Sequence, residues 1–136
     1  FGSWAREYRP IYDPFEAGLG RFIHPNRAFV GAAALSTVHD RESRKSLRTW
    51  VLNIPDGPDA ADVLGDEPIW YDNEVVGWVT SGGYAHHSGQ SVALGYIPAE
   101  LAARSDGWHI EVLGVMRSAV MLTQPLFDPM GDRMRS

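Results

Sequence analysis

Residues 77–97, GWVTSGGYAHHSGQSVALGYI, decide how this chain is read. Glycines, hydroxyls and the adjacent His86 and His87 sit between two runs that alternate like strands, so the stretch is a phosphate cradle, a metal site or a connection inside a sheet. A phosphate cradle needs the offsets G-x-G-x-x-G or G-x-x-x-x-G-K-[ST] and a following helix whose first N–H groups face the anion. Gly82-Gly83 offers neither. Neighbouring residues of an extended chain point to opposite faces, which sets His86 and His87 against sharing one ion, and a third ligand such as Asp72 has no local support. What remains is structural. Ser81, Gly82 and Gly83 are expected to supply a positive φ or a bulge where a strand ends and bends. The histidines then lie in a loop, open to a partner surface or ligand without being catalytic.

Around this stretch the grammar is that of short strands. LRTWVLNI (47–54), PIWYD (68–72), EVVGWVTS (74–81), QSVALGYI (90–97), GWHIEVLG (107–114) and VMRSAVMLT (115–123) are rich in β-branched and aromatic residues and separated by turn residues. Asp72-Asn73 reads as a tight hairpin turn, PDGPDAADVLGDEP as a loop, and PAELAARS as a short helical turn. Six strands at this spacing predict a small antiparallel sheet or barrel.

The N-terminal part differs. FGSWAREYRPIYDPFEAGLGRFI has no clean period and is expected to be irregular, with one helical turn around Phe15 to Leu19. GAAALSTVHDRESRK, residues 31–45, is alanine-rich and proline-free, with Ala34, Leu35 and Val38 at helical spacing and basic residues at its end, so a helix is expected over that range, His39 on its polar side. The division falls near residue 46, and the first part is too short to own a core.

Composition narrows the function classes. The 136 residues, 44% hydrophobic and 21% charged, are those of one soluble globular unit. A net charge of −5 gives no positive field to gather nucleic acid or an anionic membrane. The basic cluster between Arg41 and Arg48 reads as the solvated face and last turn of the helix. The absence of cysteine excludes disulfides, thiolate zinc sites and cysteine nucleophiles. No apolar run approaches the ~20 residues that span a bilayer, and the N-terminus has no signal-peptide character. The chain opens at Phe1 within structured-looking sequence, which points to a piece of a larger polypeptide. No G-x-S-x-G elbow or local triad is present, and Asp13 with Glu16 suits helix capping at least as well as acid–base work.

In order along the chain, YDPFEAGLGRFI, RAFVGAAAL, VGWVTSGGYAHHSGQSVALGYIP, the strand pair opening at GWHIEV, and QPLFDP resemble the C-terminal part of the glycine cleavage T-protein (aminomethyltransferase) family, nearest to its dimethylglycine and sarcosine dehydrogenase-like members. The resemblance covers essentially the whole chain. It implies that residues 1–46 end a folate-binding domain and that residues 47–136 form a six-stranded antiparallel β-barrel, in which the S-G-G-Y segment is a connection. It further implies an enzyme that demethylates a small N-methyl amine and passes the one-carbon unit to tetrahydrofolate, with FAD in an upstream domain. The upstream folate-binding and flavin domains are the implied partners, and the compartment is the bacterial cytoplasm or the mitochondrial matrix. The family's key aspartate and its pterin-gripping glutamate and arginine fall before Phe1, so no catalytic residue is assigned here and the fragment alone is expected to be inactive. Phe1 and Trp4 match an aromatic segment beside the folate, offering a stacking face. Arg133 resembles a tail residue that reaches back to the folate cavity, where a guanidinium suits a carboxylate or the pterin carbonyl. Against these stand an aromatic core cluster for the first pair and a solvated tail for Arg133. Two other readings are a stand-alone aminomethyltransferase or related folate-dependent demethylase, and a non-catalytic interaction module.

Overall fold

Strand pairing closes the chain on itself. The computed structural model describes residues 2–24, 27–39, 44–55 and 60–135. Six strands, β1 (Lys45–Leu52), β2 (Pro68–Tyr71), β3 (Glu74–Ala85), β4 (Gln90–Pro98), β5 (Trp108–Val112) and β6 (Val115–Met121), form a closed antiparallel barrel in the order β1-β4-β3-β2-β5-β6. The seam is made by β6 against β1, with Trp50 opposite Met121 and Leu52 opposite Ala119. The fold is thus mainly β, with a short helical N-terminal part, as the sequence indicates.

The period-two pattern selects which side chains fill the interior. Trp50 and Leu52 of β1, Ala93 and Ile97 of β4, and Trp108, Ile110 and Val112 of β5 point inward and are buried. Trp50 and Trp108 meet edge to face, ring centroids 5.5 Å apart. Leu52, Ile97, Ile110 and Val112 each contribute about 1.5–3 kcal/mol through burial, so these alternating positions carry the barrel. At Gly95, on the same inward row, a Cβ would come within 2.6 Å of both Ile69 Cδ1 and the Trp78 carbonyl oxygen; glycine is what allows β3 and β4 to pack there.

Local turn chemistry fixes two hairpins. Asp72 and Asn73 have φ of 51° and 63°, and Leu113 and Gly114 have 49° and 79°, the doubly positive pattern of type I′ turns that matches strand twist. The Ser81–Gly83 expectation holds in part, since Gly83 has a positive φ of 158° and a bulge adjoins Ser81, but the S-G-G-Y segment is strand and not a connection. β3 does not end there but runs on to Ala85, and the register shift falls at Thr80, between Val79 and Ser81. Gly82 serves close approach: a Cβ on it would lie 2.8 Å from Val63 Cβ, Cγ1 and O, where the loop before β2 crosses the strand.

The helix is also shorter than the expected span of 31–45. α1 runs Ala32–His39, Arg44 lies in a bend and Lys45 opens β1 opposite Pro98; residues 40–43 lie outside the described residues. Sheet pairing overrides helix propensity at this end. The basic cluster is therefore not one helical turn, since Lys45 and Arg48 belong to β1. Among the described helices, none is long and apolar enough to cross a membrane.

Within residues 2–39, the buried residues among those described are Glu7, Glu16 and Ala17, so polar links rather than a core fasten this segment to the barrel. Asp13 and Glu16 form a reciprocal capping box: Asp13 Oδ1 accepts from the N–H groups of Phe15 and Glu16, and Glu16 Oε2 accepts from Asp13 N–H. The turn after Asp13 closes through Ala17 N–H to Asp13 O and Leu19 N–H to Pro14 O. Glu16 then reaches outward, its Oε1 accepting from Arg44 N–H and Lys45 N–H at 3.2 and 3.1 Å and its carbonyl from Leu47 N–H.

Candidate functional site

The outward-facing residues of β1 and β4 floor a groove. Leu47, Thr49, Val92 and Leu94 alternate with the core positions, and the hollow above them, about 770 Å³, is walled by the β3–β4 turn at residues 85–88 and by the segment 122–127. Arg48, His86 and His87 line it, whereas among the described residues no aspartate or glutamate does, in a chain that carries 17 of them. An apolar floor with the Arg48 guanidinium in its lining suits a ligand with a flat apolar body and an anionic end.

The adjacent histidines diverge. His86 stands edge-on to Tyr84, centroids 5.0 Å apart, and His87 edge-on to Phe127 at 4.4 Å. Among the described residues no group of three or more histidine, aspartate or glutamate side chains is gathered as a ligand set.

Arg133 reaches the groove by way of Phe127. Its guanidinium carbon lies 4.9 Å from the Phe127 ring centroid, on the ring that His87 also touches. The fold-back is fixed by Asp128, whose carboxylate accepts from the N–H groups of Asp132 and Arg133 and so caps the short 3₁₀ helix Asp132–Met134. Gly131, in the left-handed region at φ 69°, makes the turn into that helix.

Trp4 occupies a different place, at the corner of a single turn in which Ser3 O accepts from the N–H groups of Arg6, Glu7 and Tyr8. It is 78% exposed, so it is not part of an aromatic core cluster. The turn borders a smaller hollow of about 260 Å³ lined by Ala5, Arg6, Arg9, Asp66, Trp78 and Thr80, rather than the groove that Arg133 approaches. Phe1 lies outside the described residues.

The residues that bind this turn to the barrel carry no signal in the sequence. Glu7 is completely buried, and Tyr96, equally buried, donates its hydroxyl to the Glu7 carbonyl at 2.7 Å while Tyr12 stacks on it with centroids 3.6 Å apart. Burial pushes the Glu7 carboxyl upward, but hydrogen bonds from Ser81, Thr80 and backbone N–H groups outweigh it and hold the carboxyl below its ordinary value. Burial, reinforced by the phenol of Tyr12 and the carboxylates of Glu16 and Glu7, raises Tyr96 far above the usual phenol range. The phenol is therefore a permanent donor. Glu7 and Ser81 are 74 positions apart, so nothing local announces their pairing.

The closed six-stranded antiparallel barrel, with its N-terminal segment tied on by the Glu7 and Glu16 carboxylates, is an architecture shared with a solved protein. The crystal structure of glycine cleavage system aminomethyltransferase T from Bartonella henselae superposes with a TM-score of 0.69 at 22% identity, over 88% of this chain and 33% of that one. The sequence profile of the glycine cleavage T-protein C-terminal barrel domain matches residues 48–128, and the chain belongs to that family. Similarity extends beyond the barrel. Mitochondrial dimethylglycine dehydrogenase from Homo sapiens is 33% identical over 128 residues, 93% of this chain and 14% of that protein. Aminomethyltransferase from Prochlorococcus marinus (strain NATL1A) is 32% identical over 118 residues, 84% of this chain and 30% of that protein. The chain thus spans between about a seventh and a third of the length of these relatives.

Proposed function

We propose that this chain is the C-terminal part of a folate-dependent one-carbon enzyme of the dimethylglycine or sarcosine dehydrogenase kind, which oxidatively demethylates a small N-methyl amine and delivers the carbon to tetrahydrofolate. The observation that carries this reading is the 33% identity to dimethylglycine dehydrogenase over 93% of the chain, which takes in the N-terminal segment as well as the barrel. Residues 1–46 then end a folate-binding domain, and residues 47–136 form the barrel that closes on it. FAD, when bound by upstream sequence, supplies the oxidation. This chain's own task is to wall the folate chamber, because an electrophilic one-carbon unit exposed to water is lost as formaldehyde.

The residues present fit such a wall. Trp4 presents an exposed indole to the pterin, with Phe1 near it in sequence, and Arg133, packed on Phe127 at a separate groove, is assigned the acidic end of a folate extended between the two places. A stand-alone aminomethyltransferase is the second reading, supported by the 32% identity to the Prochlorococcus protein. The parent functions in the mitochondrial matrix or the bacterial cytoplasm.

Calorimetric titration with 5-formyltetrahydrofolate, of this chain and of the full-length parent, tests the proposal. Tight binding by the parent and weak binding by the isolated chain are expected. A parent that binds no folate, or an isolated chain that turns over substrate, would refute it. Oxidation of dimethylglycine or sarcosine by the parent separates the first reading from the second.

A further inference from the structure

The folate reading leaves the buried carboxylate of Glu7 without a task. Glu7 closes a turn whose other described members, Ser3, Trp4, Ala5, Arg6 and Tyr8, are exposed. An isolated single turn does not hold its shape in water, so whatever fixes this one must come from outside it. Ser3 N–H donates to Glu7 Oε2 at 2.6 Å, within the turn, and Ser81 Oγ donates to Glu7 Oε1 at 2.6 Å, from the barrel. Ser81 is the residue just after the β3 bulge. The one carboxylate therefore ties the turn's first residue to a strand. The Tyr96 hydroxyl also holds the Glu7 carbonyl at 2.7 Å, which anchors the end of the turn but not Ser3, and Arg6 adds a tether to Asp66 at 3.1 Å and the Thr80 carbonyl at 3.3 Å, whose exposed ion pair holds little.

We propose that Glu7 is a positioning residue for Trp4: by clamping the Ser3–Tyr8 turn to the β3 bulge through Ser81, it fixes where the indole stands against the bound ligand. This rests on the reading of Trp4 as a folate contact. The clamp needs one obligate acceptor, because the Ser3 N–H can only donate while the Ser81 hydroxyl can donate or accept. Glutamine keeps the geometry, turning its carbonyl oxygen to Ser3 N–H and its amide to a rotated Ser81 hydroxyl, whereas alanine abolishes both links. Substitution therefore grades the clamp without touching the ligand.

The test is a double-mutant cycle in the full-length protein that carries this chain, read as KM for tetrahydrofolate against kcat at saturating folate. Glu7→Ala is expected to raise KM about tenfold with kcat little changed, since a misplaced contact far from the chemistry weakens the encounter with the ligand. Trp4→Ala should do the same, and adding Glu7→Ala to Trp4→Ala should add nothing, because both remove one interaction. Glu7→Gln should restore most of the affinity. Should Glu7→Ala fail to fold, Ser81→Ala, which deletes only the barrel-side donor, carries the same expectation. If Trp4→Ala leaves KM unchanged, the folate assignment of Trp4 falls and takes the positioning role with it. If Trp4→Ala raises KM while Glu7→Ala and Ser81→Ala do not, or if the effects multiply, the folate assignment stands and Glu7 is only a structural tie.

Discussion

Replacing Glu16 by alanine is the sharpest probe of how the N-terminal segment is fastened. The Glu16 side chain is fully buried and accepts three backbone hydrogen bonds, one from Asp13 and two from Arg44 and Lys45, at 3.1 to 3.2 Å. Hydrogen bonds to an ionised acceptor contribute about 1.5–3 kcal/mol each, but those sharing one carboxylate are not additive, and Arg44 N–H regains water once the contact is lost. A loss of about 3–5 kcal/mol follows from three such bonds discounted for that sharing. With an unfolding entropy of roughly 2.1 cal/mol/K per residue, the 136-residue chain loses about 3.5 °C of Tm per kcal/mol, hence about 10–17 °C. Denaturant unfolding followed by circular dichroism measures the global term, and amide exchange at Lys45 measures whether the start of β1 frays. Glu16→Gln should fall between, because its carbonyl oxygen still serves Arg44 and Lys45 while its amide faces the Asp13 N–H, donor against donor. A Glu16→Ala loss below about 1 kcal/mol, with Lys45 protection unchanged, would refute the reasoning.

Gly82→Ala should cost about 1–3 kcal/mol by overpacking against Val63, in denaturant unfolding; a neutral result would show that the loop before β2 yields freely. Among the described residues the buried Trp50 Nε1 has no acceptor, whereas Trp108 Nε1 donates to Arg104 O at 3.0 Å, so Trp50→Phe should destabilise less than Trp108→Phe. Equal losses would show that ring volume alone decides. Because the Glu7 pKa is lowered on folding, its contribution to stability is complete above the unfolded carboxyl value of about 4.3 and declines as pH falls through that value to the folded one. Unfolding free energy against pH should therefore show an acid limb that is shallower in Glu7→Gln, and identical limbs would contradict the ionised clamp.

The sequence was most legible where the chemistry is local. Asp72-Asn73 announces its hairpin because a doubly positive φ pair suits few residue types, and the Asp13–Glu16 spacing announces a cap because the bonds close within one turn. It misled where long-range pairing competes with local preference. Residues 44–45 carry helix-ending chemistry yet are drawn into a bend and β1 by Pro98 and by the Glu16 carboxylate. The positive φ or bulge expected at Ser81–Gly83 is present as the positive φ of Gly83 and a bulge at Thr80, but the strand end expected with it is not, since pairing with β4 carries β3 on to Ala85, and Gly82 is needed for a loop 19 positions earlier.

The candidate site divides in the same way. Arg133 and Trp4 stand out by resemblance, but the ring of Phe127 between Arg133 and His87, and the carboxylate of Glu7 beneath the Trp4 turn, exist only once distant segments meet. By itself the sequence determined six short strands and the Asp72-Asn73 turn, because side-chain alternation and turn chemistry act over a few residues and survive any tertiary arrangement, while the barrel and the family came from the order of its motifs. Only the tertiary structure decided the strand order, the glycine contacts and the buried clamp, because burial of a charge depends on which donors the closed barrel brings to it, and no local pattern encodes a partner 74 residues away.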